Sequence, residues 1–144
     1  MRRDVALALV LGAAGVVLGA LTEDGEVDVH AMRDLMRAAH GLPVTFHRAI
    51  DESADVLASV DALRSLGVAR VLSSGGAAAA VDGADTIAAM VARASSSMAI
   101  VAGGGVRWYN VVELVRRSGV REVHARCGGE SARIRGIVDA LASA

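Results

Sequence analysis

The segment Thr45-Phe46-His47-Arg48-Ala49-Ile50-Asp51 holds the densest chemistry in the chain: an imidazole beside a guanidinium, with a carboxylate three residues on. An imidazole can act as acid, base or metal ligand near neutral pH, which makes His47 and Arg48 the candidate catalytic pair. Arg48 and Asp51 are equally spaced as a plain strand-end ion pair. Two further groups, Ser73-Ser74-Gly75-Gly76 and Gly103-Gly104-Gly105-Val106-Arg107, are small, polar and open. Such turns let a ligand approach the backbone, and amides leading into a following helix can hold an anion. Ser73, Ser74, Gly75, Gly103, Gly104, Gly105 and Arg107 are therefore the candidate ligand-binding residues. The last group, His124-Ala125-Arg126-Cys127, offers soft donors, so His124 and Cys127 are the candidate copper(I) ligands. His30, Met32, Met36 and His40 add sulfur and imidazole on one helical stretch, but the methionines recur at the spacing of a core stripe.

Composition narrows what these groups can do. All 15 basic residues are Arg, which removes lysine Schiff-base chemistry. A formal net charge of −1 provides no field for nucleic acid or an anionic membrane, so neither is expected as a partner. Cys127 is the single cysteine; it can make neither an internal disulfide nor a cysteine-rich zinc site, and a reducing, cytoplasmic compartment is expected. No HExxH, GxSxG or P-loop pattern occurs. Met1-Arg2-Arg3 followed by the apolar run Val5 to Leu21 imitates a secretory leader. Asp4 at its mouth and glycines 12 and 15 within it favour a helix followed by a strand instead.

The elements that must position these groups emerge from a repeat. Strand-like runs open at Gly15-Val16-Val17, Gly41-Leu42-Pro43-Val44, Gly67-Val68-Ala69, Met98-Ala99-Ile100-Val101 and Gly119-Val120-Arg121. The period is roughly 26 residues, the size of one β-α unit. Glycine just past a helix relieves the left-handed turn there, and the next strand follows at once. Helical patterns fill the intervals at 30–40, 56–66, 85–94, 110–117 and 131–142, and Asp28, Asp55, Asp85, Asn110 and Ser131 stand where they can cap them. The expected order is α-β-α-β-α-β-α-β-α-β-α in one domain spanning 1–144. Strands buried on both faces and joined by right-handed crossovers make a parallel α/β sheet. About five such strands are too few to close an eight-stranded barrel.

An open doubly wound sheet satisfies the same pattern. Aligning Val71 with Val123 pairs Arg70 with Glu122 and Leu72 with His124 on strands two apart, as barrel layers drawn from alternate strands require. In either fold ligands bind beyond the carboxyl ends of the strands, and all four chemistry-bearing groups fall there. Unpaired outer strands also make association of two copies through the sheet edges an expectation.

Taken together, Pro43-Val44-Thr45-Phe46-His47-Arg48-Ala49-Ile50-Asp51, the stretch 66–75, Ala102-Gly103-Gly104-Gly105-Val106-Arg107, Glu122-Val123-His124 and the stretch 19–28 resemble the CutC family of copper-homeostasis proteins. The resemblance runs in order along nearly the whole chain. It implies an incomplete TIM-type (β/α)8 barrel corresponding to the family's strands four to eight, a role in copper homeostasis and copper ions as a bound partner. It begins just before the family's fourth strand, so the cysteines that members carry on earlier strands lie outside it. The sequence also departs from the serine-rich stretch that members carry after the last histidine. From the residues themselves, the alternative is a barrel-enzyme fragment that binds a small phosphorylated or anionic metabolite at its glycine loops.

Overall fold

The computed structural model describes the backbone of residues 1–144 and every side chain except that of Arg2. Helix α1 (Arg2–Val10) precedes strand β1 (Val16–Leu18), and the chain continues through α2 (Val29–Ala38), β2 (Val44–Phe46), a 3-10 helix (Arg48–Glu52) and α3 (Val56–Ser65). Then come β3 (Arg70–Ser73), α4 (Ala84–Ala94), β4 (Ala99–Gly103), α5 (Val111–Ser118), β5 (Glu122–His124) and α6 (Ser131–Ala142). The apolar run near the N-terminus is thus split into a helix and a strand, as its glycines imply. Among the described residues no helix is long and apolar enough to cross a membrane.

All strand pairs are parallel and the spatial order is β1-β2-β3-β4-β5. A doubly wound sheet reverses its order at a switch point; this one never does. With right-handed crossovers, an unreversed order puts every helix on one face, which is the arc of a barrel. Val44, Phe46, Val71, Ile100 and Ala102 point under the helices and are buried with Met32, Leu63, Ile87, Met90 and Leu114. Met32 in that core confirms the methionine stripe as packing rather than ligation. The opposite, concave face is open: Val17 is 66 % exposed, and Thr45, Arg70, Leu72 and Glu122 are half-buried. Burial on both faces was the sequence expectation, and it fails here because five strands do not curl far enough to enclose their own interior.

The barrel stagger is directly visible. In the hydrogen-bonded register Leu72 lies opposite Val101, and Val101 opposite Glu122. The ion pair nevertheless joins Arg70 Nε to Glu122 Oε2 at 2.8 Å, two residues off register across two strands. One residue of stagger per strand is the shear of an eight-stranded barrel. The next layer repeats it: a Cβ on Gly103 would lie 2.6 Å from Leu72 Cδ1 and 3.2 Å from His124 Cβ. Both partners of the ion pair keep about two-fifths of their side-chain surface in solvent, at 44 % and 41 %. A double-mutant cycle on Arg70 and Glu122 should therefore return a coupling below about 1 kcal/mol that shrinks further as salt is raised.

Helix starts follow the sequence in part. Asp28 accepts from the Ala31 N–H and Asp55 from those of Leu57 and Ala58, so both cap. Asp85 instead lies inside the first turn of α4 and pairs with Arg117. Ser131 likewise begins α6 without capping it. The Asn110 side chain turns back to close its own loop, accepting from the Arg107 N–H and donating to the Gly105 carbonyl. Where the repeat lacks its glycine, before β4, Ser95 itself takes a φ of 57°.

Candidate functional site at the carboxyl ends of the strands

The 3-10 turn immediately after β2 organises the site. His47 starts it: its Nδ1 accepts from the Ala49 N–H at 3.2 Å, so the neutral ring carries its proton on Nε2. The imidazole stands on the concave side against Gly19, where a Cβ would come 2.9 Å from Cε1. It faces a shallow groove lined by Asp4, Val5, Ala8, Val16, Val17 and Leu18.

One turn later the chain returns Asp51 beneath the end of β3. Its side chain is only 5 % exposed, yet it is richly supplied with donors. Oδ1 accepts from Ser73 Oγ at 2.6 Å, from the Ser74 N–H at 3.1 Å and from the Gly76 N–H at 3.2 Å. Oδ2 accepts from Arg48 Nε at 2.8 Å and lies 2.9 Å from Ser74 Oγ. Burial is the largest single influence and pushes the Asp51 carboxyl up; the hydrogen bonds from Ser73, Arg48 and Ser74 outweigh it and hold the group below the ordinary carboxylate value.

Arg48 is the outward arm of this cluster. Its Nη2 donates to Ser74 Oγ at 2.6 Å, and a Cβ on Gly104 would lie 3.2 Å from its Nη1. One guanidinium thus spans the ends of β2, β3 and β4. Nη1 donates to no protein group among the described residues, and 44 % of the side chain remains in solvent. A planar fork fixed on one edge and free on the other fits carboxylate or phosphate oxygens.

The structure brings Arg48, Ser73, Ser74 and Gly104 together and holds other candidates apart from them. Ser73 and Ser74 are fully buried, and both hydroxyls lie within hydrogen-bond reach of Asp51. Gly75 packs against the Gly83 backbone, leaving no space for a side chain on either. Gly103 makes room between Leu72 and His124, and Gly105 lies against Ala79. The Arg107 guanidinium donates to the neighbouring Val106 carbonyl at 2.7 Å. His124 is exposed on the concave face, Cys127 is half-buried against the core, and no hydrogen bond joins them. Among the described residues no three His, Cys, Asp or Glu side chains gather as a metal cluster.

Sequence reasoning gave Asp51 only the part of an ion-pair partner. Most of its donors come from residues 22 to 25 positions ahead, beyond any local pattern. Asn110, expected as a helix cap, instead closes a local loop to Gly105 and Arg107, and Gly83 meets the backbone of Ser74 and Gly75.

Comparison with known proteins follows the same line. The CutC family model matches residues 1–129, stopping short of α6. A CutC family protein of Xanthomonas axonopodis pv. citri is 48 % identical over 129 residues, covering 90 % of this chain and 54 % of that protein. One from Xylella fastidiosa is 51 % identical over 122 residues, 85 % of this chain and 46 % of that one. The chain spans about half the length of these relatives. Among solved structures, a candidate copper homeostasis protein CutC from Streptococcus agalactiae superposes with a TM-score of 0.81 at 32 % identity, over 85 % of this chain and 60 % of that one. The native KDPGal structure reaches 0.68 at 15 % identity over 99 % of this chain and 65 % of its own, a likeness of fold alone.

Proposed function

This chain belongs to the CutC family, and from that premise we propose that it serves in copper homeostasis through the mouth of its strands, where Arg48 holds a small anionic ligand. The copper role comes from the S. agalactiae relative; the anion comes from the geometry. One observation carries it: Arg48 is pinned by Asp51 and Ser74 while its Nη1 edge stays open beside Gly104. An arginine already fixed loses little side-chain freedom on binding, so its contacts translate into affinity. Asp51 offsets one positive charge, so recognition rests on the directed N–H groups of the fork more than on net charge.

Copper enters as cargo. His124 and Cys127 supply an imidazole and a thiol, donors suited to copper(I), and His124 stands at the same mouth on the concave face. Cytoplasm is the compartment we assign, since a reducing environment keeps the lone thiol available. The five strands correspond in this reading to the family's fourth to eighth. A second reading, an enzyme fragment acting on a small phosphorylated or anionic metabolite, uses the same Arg48 and glycine loops without copper.

Copper(I) titration against a competing chelator separates the two. The first reading expects one equivalent bound by the wild-type chain and its loss in both His124→Ala and Cys127→Ser. Unchanged stoichiometry in either variant would remove these residues as ligands and leave the anion as the site's occupant.

A further inference from the structure

Beside the free edge of Arg48, two loops carry hydrogen-bond donors that the fold leaves unused. They follow β3 and β4, strands that each have a neighbour on both sides in the sheet. The loops are locked together: the Ala80 N–H donates to the Gly104 carbonyl at 2.9 Å, and a Cβ on Gly105 would come 3.2 Å from that of Ala79. At the start of the first loop Asp51 takes the N–H groups of Ser74 and Gly76, and Ser73 Oγ takes that of Gly75. Further along, the N–H groups of Ala77, Ala78 and Ala79 donate to no protein acceptor among the described residues, and neither do those of Gly104 and Gly105 in the second loop. The carbonyls behave in the opposite way. Those of Ala77, Ala79, Gly104, Gly105 and Val106 each accept a hydrogen bond from within the protein. Where the loops meet, the main chain therefore offers free donors beside engaged acceptors, the pattern that suits an anion.

We infer that the anion held by Arg48 is the phosphoryl group of a small phosphate monoester, whose remaining oxygens accept from the main-chain N–H groups of Gly104 and Gly105. This rests on the Arg48 reading above and adds what that reading leaves open, because a guanidinium fork fits carboxylate and phosphate alike. A carboxylate has two oxygens; the fork engages both and the amides stay idle. A phosphoryl group has a third terminal oxygen for them. The two donor sets adjoin, since a Cβ on Gly104 would lie 3.2 Å from Arg48 Nη1 and 3.1 Å from the Ser74 Cβ. With φ values of +124° and +64°, Gly104 and Gly105 also hold backbone conformations that favour glycine, so no side chain covers their amides. Asp51 offsets the charge of Arg48, and oriented N–H groups supply the stabilisation that a second cation would otherwise give. Gly105 is exposed, which leaves the esterified part of the ligand a way out to solvent.

Amide NMR of the wild-type chain tests this with inorganic phosphate, glycerol 3-phosphate and acetate as probes, at constant pH and ionic strength. Both phosphates should move the Gly104 and Gly105 amide resonances to saturation, half-saturating at the concentration that half-completes their effect on thermal stability. Acetate should need about tenfold more, the difference that one hydrogen bond to a charged group makes. In Arg48→Lys the shifts should vanish. A phosphate-dependent gain in thermal stability with both glycine resonances unmoved would overturn this inference and leave the Arg48 reading standing. Acetate acting at the same concentration as phosphate would likewise overturn the phosphoryl group alone. A response to inorganic phosphate without one to glycerol 3-phosphate would overturn the ester. No response to any probe, in resonances or in stability, would overturn both this inference and the reading beneath it. Should Arg48→Lys fail to fold, the wild-type titrations decide.

Discussion

Asp51→Ala lowers the unfolding free energy by about 3–5 kcal/mol, measured by urea denaturation at neutral pH. The carboxylate is 5 % exposed, and its removal strands the Ser73 hydroxyl and the Ser74 N–H, both on fully buried residues. Each orphaned buried donor costs about 1–3 kcal/mol. Arg48, half in solvent, recovers part of its loss from water. Against an ordinary domain stability of about 5–15 kcal/mol the effect is large. The pH dependence has a definite sign. The folded Asp51 carboxyl titrates below its ordinary value, so between the folded and unfolded values the unfolded chain binds more protons. Its contribution is complete above the unfolded value of about 3.9, and disappears as pH falls through the folded value below it. Asp51→Asn should flatten that part of the acid limb, and an acid limb of unchanged slope would show that the carboxylate is not the group responsible.

The second large effect comes from a residue with no side chain. Gly83→Ala should cost about 3 kcal/mol or more, because the new Cβ runs into the Ser74 carbonyl oxygen and comes within 3.0 Å of Gly75 Cα. Neither neighbour is the end of a flexible side chain, so the loop after β3 or the start of α4 must move. Gly75→Ala should behave alike, since its Cβ meets the Gly83 carbonyl and its φ of +71° is itself unfavourable for alanine. Gly12→Ala is the control: its φ is +77° but nothing lies within 4 Å, and about 1 kcal/mol is expected. If all three variants lose the same small amount, the contact between the loop and α4 is not tight.

These two residues also mark where sequence stops being legible. The β-α repeat could be read because it is local: a helix-ending glycine and a β-branched run sit within a few residues of each other. The Arg70–Glu122 pair could be read because strand side chains alternate with period two and a barrel adds a regular stagger. Asp51 could not, because a 3-10 turn folds it back onto a strand more than twenty residues ahead. A glycine such as Gly75 looks the same in sequence whether it leaves room for a ligand or for another backbone. Only the fold shows Gly83 against it. Asp28 and Asn110 illustrate the same limit at helix starts, where one polar side chain caps and the other closes a loop.

The central claim, that the mouth binds an anion through Arg48, is tested most directly by thermal unfolding with increasing inorganic phosphate, for the wild-type chain and Arg48→Lys. Lysine keeps the charge beside Asp51 but loses the planar fork. The wild-type midpoint should climb with phosphate as ligand linkage requires. Arg48→Lys should melt near the wild-type midpoint without phosphate and stay there when it is added. An equal climb in both proteins, or none in the wild-type chain, would contradict the account.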